Sequence, residues 1–243
     1  MAQNTSAQLR PASTVVVVRP GATAAFEVLL VRRNDRVAFM AGAYVFPGGR
    51  VDEADASGTR DAAFLGEAAR FDDLTTADEW RYRAAAVREL MEEANVRVGV
   101  DDLVPIAHWV TPEIEIRRFD TRFFLTLMPE GQEARHDDGE MTELAWLTPT
   151  DALDRCRRGE IMLPPPTWTT LRQLERHLTL PDLLAWAQSK RVVRVEPGFV
   201  TSAEGRVLTL PGDPSYPTIE GWDVPEETRF VLQEGRGWLP TRS

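Results

Sequence analysis

One segment constrains the fold more than any other: residues 76–94 form a long run of helix-favouring residues without proline or glycine. Thr76 and Glu79 have the spacing of a capping box, and Asn95 tolerates the left-handed conformation that ends many helices. At about 100° per residue, one side of this helix carries an apolar stripe. The stripe consists of Trp80, Ala84, Val87, Leu90, Met91 and Ala94. The sequence therefore predicts an amphipathic helix with one face on a core.

Short segments rich in β-branched and aromatic residues surround this helix and predict strands. They span residues 13–20, 26–33, 40–55, 103–112, 119–129 and 143–149. Helical patterns follow over 150–159, 167–177 and 180–190, and the tail from residue 192 is turn-rich and strand-like. Strands and helices do not alternate regularly, so a mixed α/β fold is predicted rather than a doubly wound parallel sheet.

Composition and charge narrow the functional classes. The 243 residues include 28 Lys and Arg against 38 Asp and Glu, a net charge of −10, which argues against binding to nucleic acid. No apolar run approaches the ~20 residues that span a bilayer, and the first dozen residues lack a signal-peptide core. We therefore expect a cytoplasmic protein without a membrane or nucleic-acid partner. The single cysteine, Cys156, is expected to be structural.

The opposite face of the predicted helix carries three carboxylates. Glu89, Glu92 and Glu93 lie at i, i+3 and i+4, where like charges repel by about 0.2–0.5 kcal/mol per pair. A solvated acidic surface is one interpretation of this cluster. The other is a metal site, because Mg²⁺ and Mn²⁺ prefer oxygen ligands and their charge removes the repulsion.

The order of neighbouring motifs favours the metal site. FPGG at residues 46–49, the acidic stretch DEAD at 52–55 and RELMEE at 88–93 resemble the two halves of the Nudix hydrolase box. That box reads Gly-x5-Glu-x7-Arg-Glu-apolar-x-Glu-Glu-x-Gly-apolar. The matching positions here are Gly49, Arg88, Glu89, Leu90, Glu92, Glu93 and Val96. The resemblance implies the Nudix α/β/α sandwich with a mixed sheet.

This box departs from the family pattern in three ways. Asp55 replaces the first Glu, Asn95 replaces the last Gly, and 32 residues separate Asp55 from Arg88, 25 more than usual. Split boxes of this kind, followed by segments like PPPTW and LPGDPSYP, resemble the branch that contains peroxisomal coenzyme A diphosphatases. The expected organisation is a single Nudix domain over residues 12–243. It has an insertion at 56–80 and an extension over 150–243 packed on it.

The resemblance also implies a ligand set. The Gly49 carbonyl would bind Mg²⁺ or Mn²⁺ together with Glu89, Glu92 and Glu93, and Arg88 would orient the glutamates. The base that accepts the proton of the attacking water stays open. Glu92 and Glu93 are candidates within the box. The acidic loop over residues 136–143 offers others, in order of preference Glu140, Glu143 and then Asp137 or Asp138.

Residues upstream of FPGG give a weaker indication of the substrate. Leu29, Leu30, Arg33 and Gly42 keep the spacing of Nudix enzymes that cleave coenzyme A, but Arg36 lies two positions early. The predicted reaction is hydrolysis of a diphosphate bond in a nucleoside diphosphate derivative, with coenzyme A or acyl-CoA as the leading substrate. ADP-ribose, dinucleotides and a non-catalytic nucleotide-binding module are the alternatives.

Several other side chains are candidates for substrate contacts. Arg33, Arg36 and Arg118 are predicted phosphate contacts, because guanidinium groups bind phosphate bidentately. Four aromatic residues either stack on a nucleobase or belong to the core: Trp109, Trp168, Tyr216 and Trp222. Whether the chain forms a homodimer stays open.

Overall fold

An eight-stranded mixed sheet is the centre of the structure, a computed structural model that describes residues 8–22, 25–35, 40–56, 70–136, 141–202 and 205–241. The strands are β1 (Leu9–Pro20), β2 (Phe26–Arg33), β3 (Tyr44–Val45), β4 (Gly48–Arg50), β5 (Val104–Val110), β6 (Arg118–Leu127), β7 (Met141–Leu147) and β8 (Arg194–Val195). Their order is β3-β2-β1-β6-β5-β8, with β4 also on β1 and β7 also on β2. β1 runs parallel to β6 and antiparallel to β2.

Helices cover both faces of this sheet. They are α1 (Thr76–Ala94), α2 (Pro149–Arg157), α3 (Pro165–Leu174) and α4 (Leu180–Ser189). Val15 and Val17 of β1 pack in one cluster with α1, whereas Val16 and Val18 pack in another cluster with α2, α3 and α4. Successive side chains of a strand point to opposite faces, so β1 contributes to both cores. The predicted α/β/α sandwich with a mixed sheet is confirmed.

The C-terminal tail forms a second, antiparallel sheet. Its strands are β9 (Gly198–Ser202), β10 (Gly205–Thr209), β11 (Arg229–Gln233) and β12 (Gly237–Thr241), in the order β12-β11-β10-β9. Leu208 of β10 and Phe230 of β11 are buried in the same cluster as Val16 of β1 and Leu30 of β2. The extension and the main sheet therefore share one hydrophobic core.

The structure corrects two details of α1. The N-cap is Thr75, whose Oγ1 accepts a hydrogen bond from the backbone of Asp78 at 3.1 Å, so the predicted capping box of Thr76 and Glu79 is wrong. Glu79 is buried instead and pairs with Arg83 at 2.7 Å. The end of the helix is as predicted, with Asn95 in the left-handed conformation at φ 54°.

The buried face of α1 also differs from the predicted stripe. Ala84, Val87 and Met91 are only partly buried. The buried residues are Glu79, Trp80, Tyr82, Arg83, Ala85, Ala86, Leu90, Glu93 and Ala94. A stripe drawn from apolar residues alone misses the charged side chains, because burial of a charge depends on partners that are distant in sequence.

Most of the predicted insertion, residues 57–69, lies outside the described residues, and α1 includes its last five residues, 76–80. The segment after it is tied to the sheet: Arg122 of β6 pairs with both oxygens of Asp73, at 2.6 and 2.7 Å. In the described ranges, no helix is both long and apolar enough to cross a membrane.

Candidate active site

The two halves of the split box meet where β4 lies beside α1. β4 pairs with β1, which places Ser13 opposite Gly49. A Cβ on Gly48 would lie 2.2 Å from the carbonyl oxygen of Ser13, and a Cβ on Gly49 would lie 2.4 Å from the carboxylate of Glu89. Only glycine allows such close approach of the backbone. Glycine at these two positions of β4 is thus required for β1 and the carboxylate of Glu89 to approach this closely.

The three glutamates of the box differ in burial and in partners. Glu93 is buried, with 5% exposure, and its Oε2 accepts a hydrogen bond from the backbone N–H of Gly48 at 2.8 Å. Glu89 and Glu92 each place one oxygen on Nη1 of Arg88, at 2.8 and 3.0 Å. The Glu89 side chain is 13% exposed and that of Glu92 is 57% exposed. The cluster therefore extends from the interior to the surface.

Arg88 joins the second half of the box to the first. Its Nε and Nη2 each contact a different oxygen of the buried Asp55 carboxylate at 3.0 Å, and Nη2 also donates to the carbonyl of Arg50 at 2.8 Å. The hydrogen bonds that Arg88 donates to Asp55 raise the pKa of Arg88 above its usual range, although burial opposes this shift. Asp55 thus holds the guanidinium that contacts Glu89 and Glu92. A bidentate pair of this kind fixes orientation as well as charge.

The donor set of the box fits a divalent cation. Carboxylates and a backbone carbonyl are the oxygen ligands that Mg²⁺ and Mn²⁺ prefer, and the missing Cβ of Gly49 leaves the carboxylate of Glu89 close to the backbone. Glu89 and Glu92 face Arg88 whereas Glu93 faces Gly48. Their convergence on one cation stays a prediction.

A different acidic group lies outside the box. Within the described ranges, the group of three whose ligand atoms all lie within 4.8 Å of one another is Asp73, His108 and Asp120. Arg122 donates to both aspartates, and its own side chain is 1% exposed. Because a guanidinium already neutralises these carboxylates, we interpret the group as a buried ion-pair network rather than a metal site.

The box lines a single large cleft. This cleft has a volume of about 820 Å³, and Gly48, Gly49, Glu89, Glu92 and Glu93 all contribute to its surface. Other parts of its surface come from β1, β5, β6 and the C-terminal extension. A cleft of this size, with converging polar groups beside apolar walls, is typical of a small-molecule site.

The comparisons with known proteins agree with this geometry. The sequence profile of the NUDIX domain matches residues 8–164, which is more than half of the chain. The chain belongs to the Nudix family. It is a Nudix pyrophosphohydrolase, and Nudix hydrolases depend on divalent metal ions.

Curated and solved Nudix relatives support the same assignment. The chain is 27% identical to the acyl-coenzyme A diphosphatase NUDT19 of Homo sapiens, over 93% of this chain and 83% of that protein. It is 26% identical to NUDT19 of Xenopus laevis, over 86% of this chain and 76% of that protein. The crystal structure of a NUDIX hydrolase from Alicyclobacillus acidocaldarius superposes with a TM-score of 0.62 at 27% identity. That match covers 74% of this chain and 96% of the other.

The predicted phosphate-binding arginines differ in where they lie relative to the Nudix cleft. Arg33 lines the cleft, and its buried Nε has no hydrogen-bond partner among the described residues. Arg36 lies outside the described residues. Arg118 is 4% exposed and pairs with Glu196 at 2.5 Å, and it does not line the cleft. Its exposed neighbour Arg117 does line the cleft, a contact that sequence reasoning missed.

The candidate bases outside the box are also separated from it. Asp137, Asp138 and Glu140 lie outside the described residues. Glu143 lines a second cavity of about 410 Å³, beside Tyr44 and not in the Nudix cleft. Burial raises the pKa of Tyr44 to about 12, and the hydrogen bond to Glu143 adds to this shift. The structure therefore gives Glu143 a partner away from the box.

The aromatic candidates are mostly part of the core. Trp168 is 1% exposed, Trp222 packs edge-on against Trp109 with 5.9 Å between ring centroids, and the Tyr216 hydroxyl donates to the carbonyl of Glu196. Of the four, Trp109 lines the cleft. Trp238 also lines it but was not predicted, because nothing in the local sequence shows that β12 reaches the box.

Proposed function

We propose that this Nudix protein hydrolyses the diphosphate bond of coenzyme A or acyl-CoA with Mg²⁺ or Mn²⁺ as cofactor. The observation that carries the proposal is the 2.8 Å hydrogen bond between Gly48 and Glu93. It brings together two halves of a box that a long insertion separates in sequence. The similarity to NUDT19 proteins, which are acyl-CoA diphosphatases, supports the choice of substrate.

The charge of the protein explains why the reaction needs a cation. The chain carries a net charge of −10, and a diphosphate brought beside Glu89, Glu92 and Glu93 meets strong repulsion. When bound by these glutamates and the Gly49 carbonyl, a divalent cation supplies charge neutralisation and lowers the pKa of a coordinated water. The donor set of the box suits this task, as described above.

The residues of the chain provide orientation, phosphate binding and proton transfer. Arg88 orients Glu89 and Glu92 by donating a hydrogen bond to each, and its own position is fixed by Asp55. Arg33 lines the cleft, and its guanidinium group is the proposed phosphate contact. Glu92, Glu93 and Glu140 are the proposed bases for the attacking water.

The reaction is balanced by one water molecule. The water oxygen forms a bond to one phosphorus, the bond between that phosphorus and the bridging oxygen breaks, and two phosphate monoesters leave. The base accepts one proton of the water, and the leaving phosphate carries the negative charge. No oxidant, reductant or other co-substrate is required.

A substrate panel with and without metal tests this function. The purified protein is incubated with coenzyme A, acyl-CoA, ADP-ribose and a dinucleoside polyphosphate in Mg²⁺, in Mn²⁺ and in EDTA, and phosphate-containing products are identified by ³¹P NMR. We expect hydrolysis of coenzyme A or acyl-CoA in Mg²⁺ and none in EDTA. Turnover that survives EDTA, or no turnover of any diphosphate, would contradict the proposal. Preferred cleavage of ADP-ribose or the dinucleotide would overturn the substrate assignment alone.

A further inference from the structure

Part of the cleft surface is apolar and comes from the C-terminal extension. Pro165, Pro166, Pro197, Leu208 and Trp238 all line the same cleft as the box glutamates. We call these five residues the apolar wall. All five lie beyond residue 164, where the match to the NUDIX domain ends. The domain that supplies the box therefore does not supply this wall, which is an addition of the extension.

Met162, shortly before α3, contacts both the strand that precedes FPGG and β12, which carries Trp238. The Met162 carbonyl accepts a hydrogen bond from the N–H of Tyr44, on the strand that leads to FPGG, at 2.9 Å. A Cβ on Gly237, next to Trp238, would lie 2.8 Å from the sulfur of Met162. β12 therefore packs closely on the segment that precedes α3. Together the two contacts of Met162 set where Trp238 lies relative to β3.

A buried ion pair fixes a second part of the wall. Arg118, at the start of β6, is 4% exposed and donates to the Thr111 carbonyl at 3.0 Å and to Glu196 at 2.5 Å. Glu196 is the residue before Pro197, so the pair holds this proline against the hairpin between β5 and β6. Arg118 is thus a positioning residue for the wall.

From this arrangement we infer that the apolar wall binds the acyl end of an acyl-CoA substrate, an inference that rests on the proposed function. The wall shares one cleft with the glutamates that would act on the diphosphate, and coenzyme A joins its diphosphate to its thiol through a flexible arm. Proline and leucine side chains offer no hydrogen bonds, which suits an aliphatic chain. Burying such a chain against them is favourable because apolar surface leaves water.

An adenine ring fits the wall less well. A nucleobase is bound by an open aromatic face together with polar partners for its edges. Trp109 is 4% exposed and its ring packs on Trp222, so little of its face is open. Trp238 is the one aromatic residue of the wall, and the other four members are prolines and Leu208.

Chain-length kinetics test the inference. KM and kcat are measured in Mg²⁺ for coenzyme A and for acetyl-, hexanoyl- and decanoyl-CoA, first with the unmodified protein and then with Trp238→Ala. We expect KM to fall as the acyl chain lengthens. In Trp238→Ala, the ratio of kcat/KM for decanoyl-CoA to that for coenzyme A should fall at least tenfold. Trp186→Ala is the matched control, because Trp186 is also partly buried but lies outside the cleft.

The outcomes separate this inference from the proposed function. A KM that is independent of chain length in the unmodified protein overturns the acyl site, whether or not the variant folds. Equal losses on coenzyme A and decanoyl-CoA in Trp238→Ala, or the same change of ratio in Trp186→Ala, also overturn it. In each of these cases hydrolysis of coenzyme A persists and the proposed function stands. Absence of any CoA hydrolysis by the unmodified protein defeats the proposed function itself.

Discussion

Glu93 is the most buried of the three glutamates of the box. It is 5% exposed and accepts a hydrogen bond from the Gly48 backbone, so its position is set by the strand that it faces. A buried carboxylate held in this way adds little to the free energy of unfolding, because burying a charge is costly. It is well placed to bind a cation. The amide of glutamine has the same shape and retains an oxygen that accepts from Gly48. Substitution by glutamine therefore removes the negative charge while it preserves the packing of the side chain.

Glu93→Gln is expected to lower turnover of the diphosphate substrate at least a hundredfold, about 2.7 kcal/mol in the activation free energy. The melting temperature should change little. Steady-state kinetics in Mg²⁺ and thermal unfolding by circular dichroism measure the two quantities. The control is Glu130→Gln, an exposed glutamate beyond the end of β6. Near-normal turnover in Glu93→Gln would refute its assignment as a metal ligand.

The sequence predicts the residues of the box better than their surroundings. Gly49, Arg88 and the three glutamates share the cleft, as expected from the resemblance of both half-motifs to one family box. Arg118 was selected by residue type alone, and its partner Glu196 is 78 residues away. Such a partner is chosen by tertiary packing, which no local pattern encodes.

Elements defined by periodicity are predicted closely. The β2 strand has the predicted bounds, and α1 covers the predicted helix from Thr76 to Ala94. For the second sheet, the sequence predicts strand-like segments but not how they pair. The paired strands β10 and β11 are separated by a long turn-rich segment. The stretch over 40–55 contains only short strands, β3 and β4, because the chain leaves β2 after Val45 and pairs with β1 from Gly48 onward.

Arg122 connects β6 to the segment that precedes α1. Its side chain is 1% exposed, and it pairs with Asp73 at 2.6 Å and with Asp120 at 3.1 Å. The hydrogen bonds from Arg122 lower the pKa of Asp73, although burial opposes them. A carboxyl with a lowered folded pKa stabilises the protein above about pH 3.9, and this stabilisation is lost as the pH falls through the folded value.

Arg122→Met should therefore reduce the free energy of unfolding at pH 7 by about 2–3 kcal/mol. This is less than for a fully buried pair because the Asp73 side chain is 48% exposed. Urea denaturation at pH 7 and pH 3 measures the loss, which should be smaller at pH 3. Arg135→Met is the control, since its ion pair with Glu133 is exposed, and it should leave the midpoint unchanged. An equal effect of both substitutions would contradict the buried network.

Lys190, at the end of α4, is the single lysine of the chain. Its Nζ donates to Gln173 at 2.8 Å and lies 4.4 Å from the centre of the Trp186 ring. Burial lowers the pKa of Lys190 to about 8, although the charge of Asp223 opposes the shift. Unfolded lysine has a pKa of about 10.4, so the unfolded chain binds more protons between these values. This group therefore makes the free energy of unfolding rise with pH across that window.

The pKa of Lys190 can be measured directly by NMR, because no other lysine contributes a side-chain signal. NMR of protein labelled with ¹⁵N- and ¹³C-lysine should show one side-chain signal with a titration midpoint near pH 8. Asp223→Asn removes an opposing negative charge and should lower that midpoint further. A midpoint near 10.4 in the unmodified protein, or a higher midpoint in the variant, would contradict the burial of the amine.

At the scale of the whole molecule, one hydrophobic core joins the main sheet to the extension. Val16, Val18 and Leu30 of the sheet lie in the same cluster as Trp168 of α3 and Phe230 of the second sheet. The extension also supplies the apolar wall of the cleft. The side chains of the extension therefore contribute both to the hydrophobic core and to the cleft surface. We expect that the rest of the domain does not fold without the extension.

A chain ending at residue 148 tests this dependence. It keeps the box, β1 to β7 and α1, but it leaves one face of the sheet without α2, α3 and α4. An apolar face of that size in water favours aggregation or a loosely packed state. We expect no cooperative thermal transition for the shortened chain, whereas residues 1–243 should unfold in a single transition. A sharp transition together with Mg²⁺-dependent hydrolysis in the shortened chain would show that the extension is a separate unit, because packing shared across that boundary cannot be removed without loss of the fold.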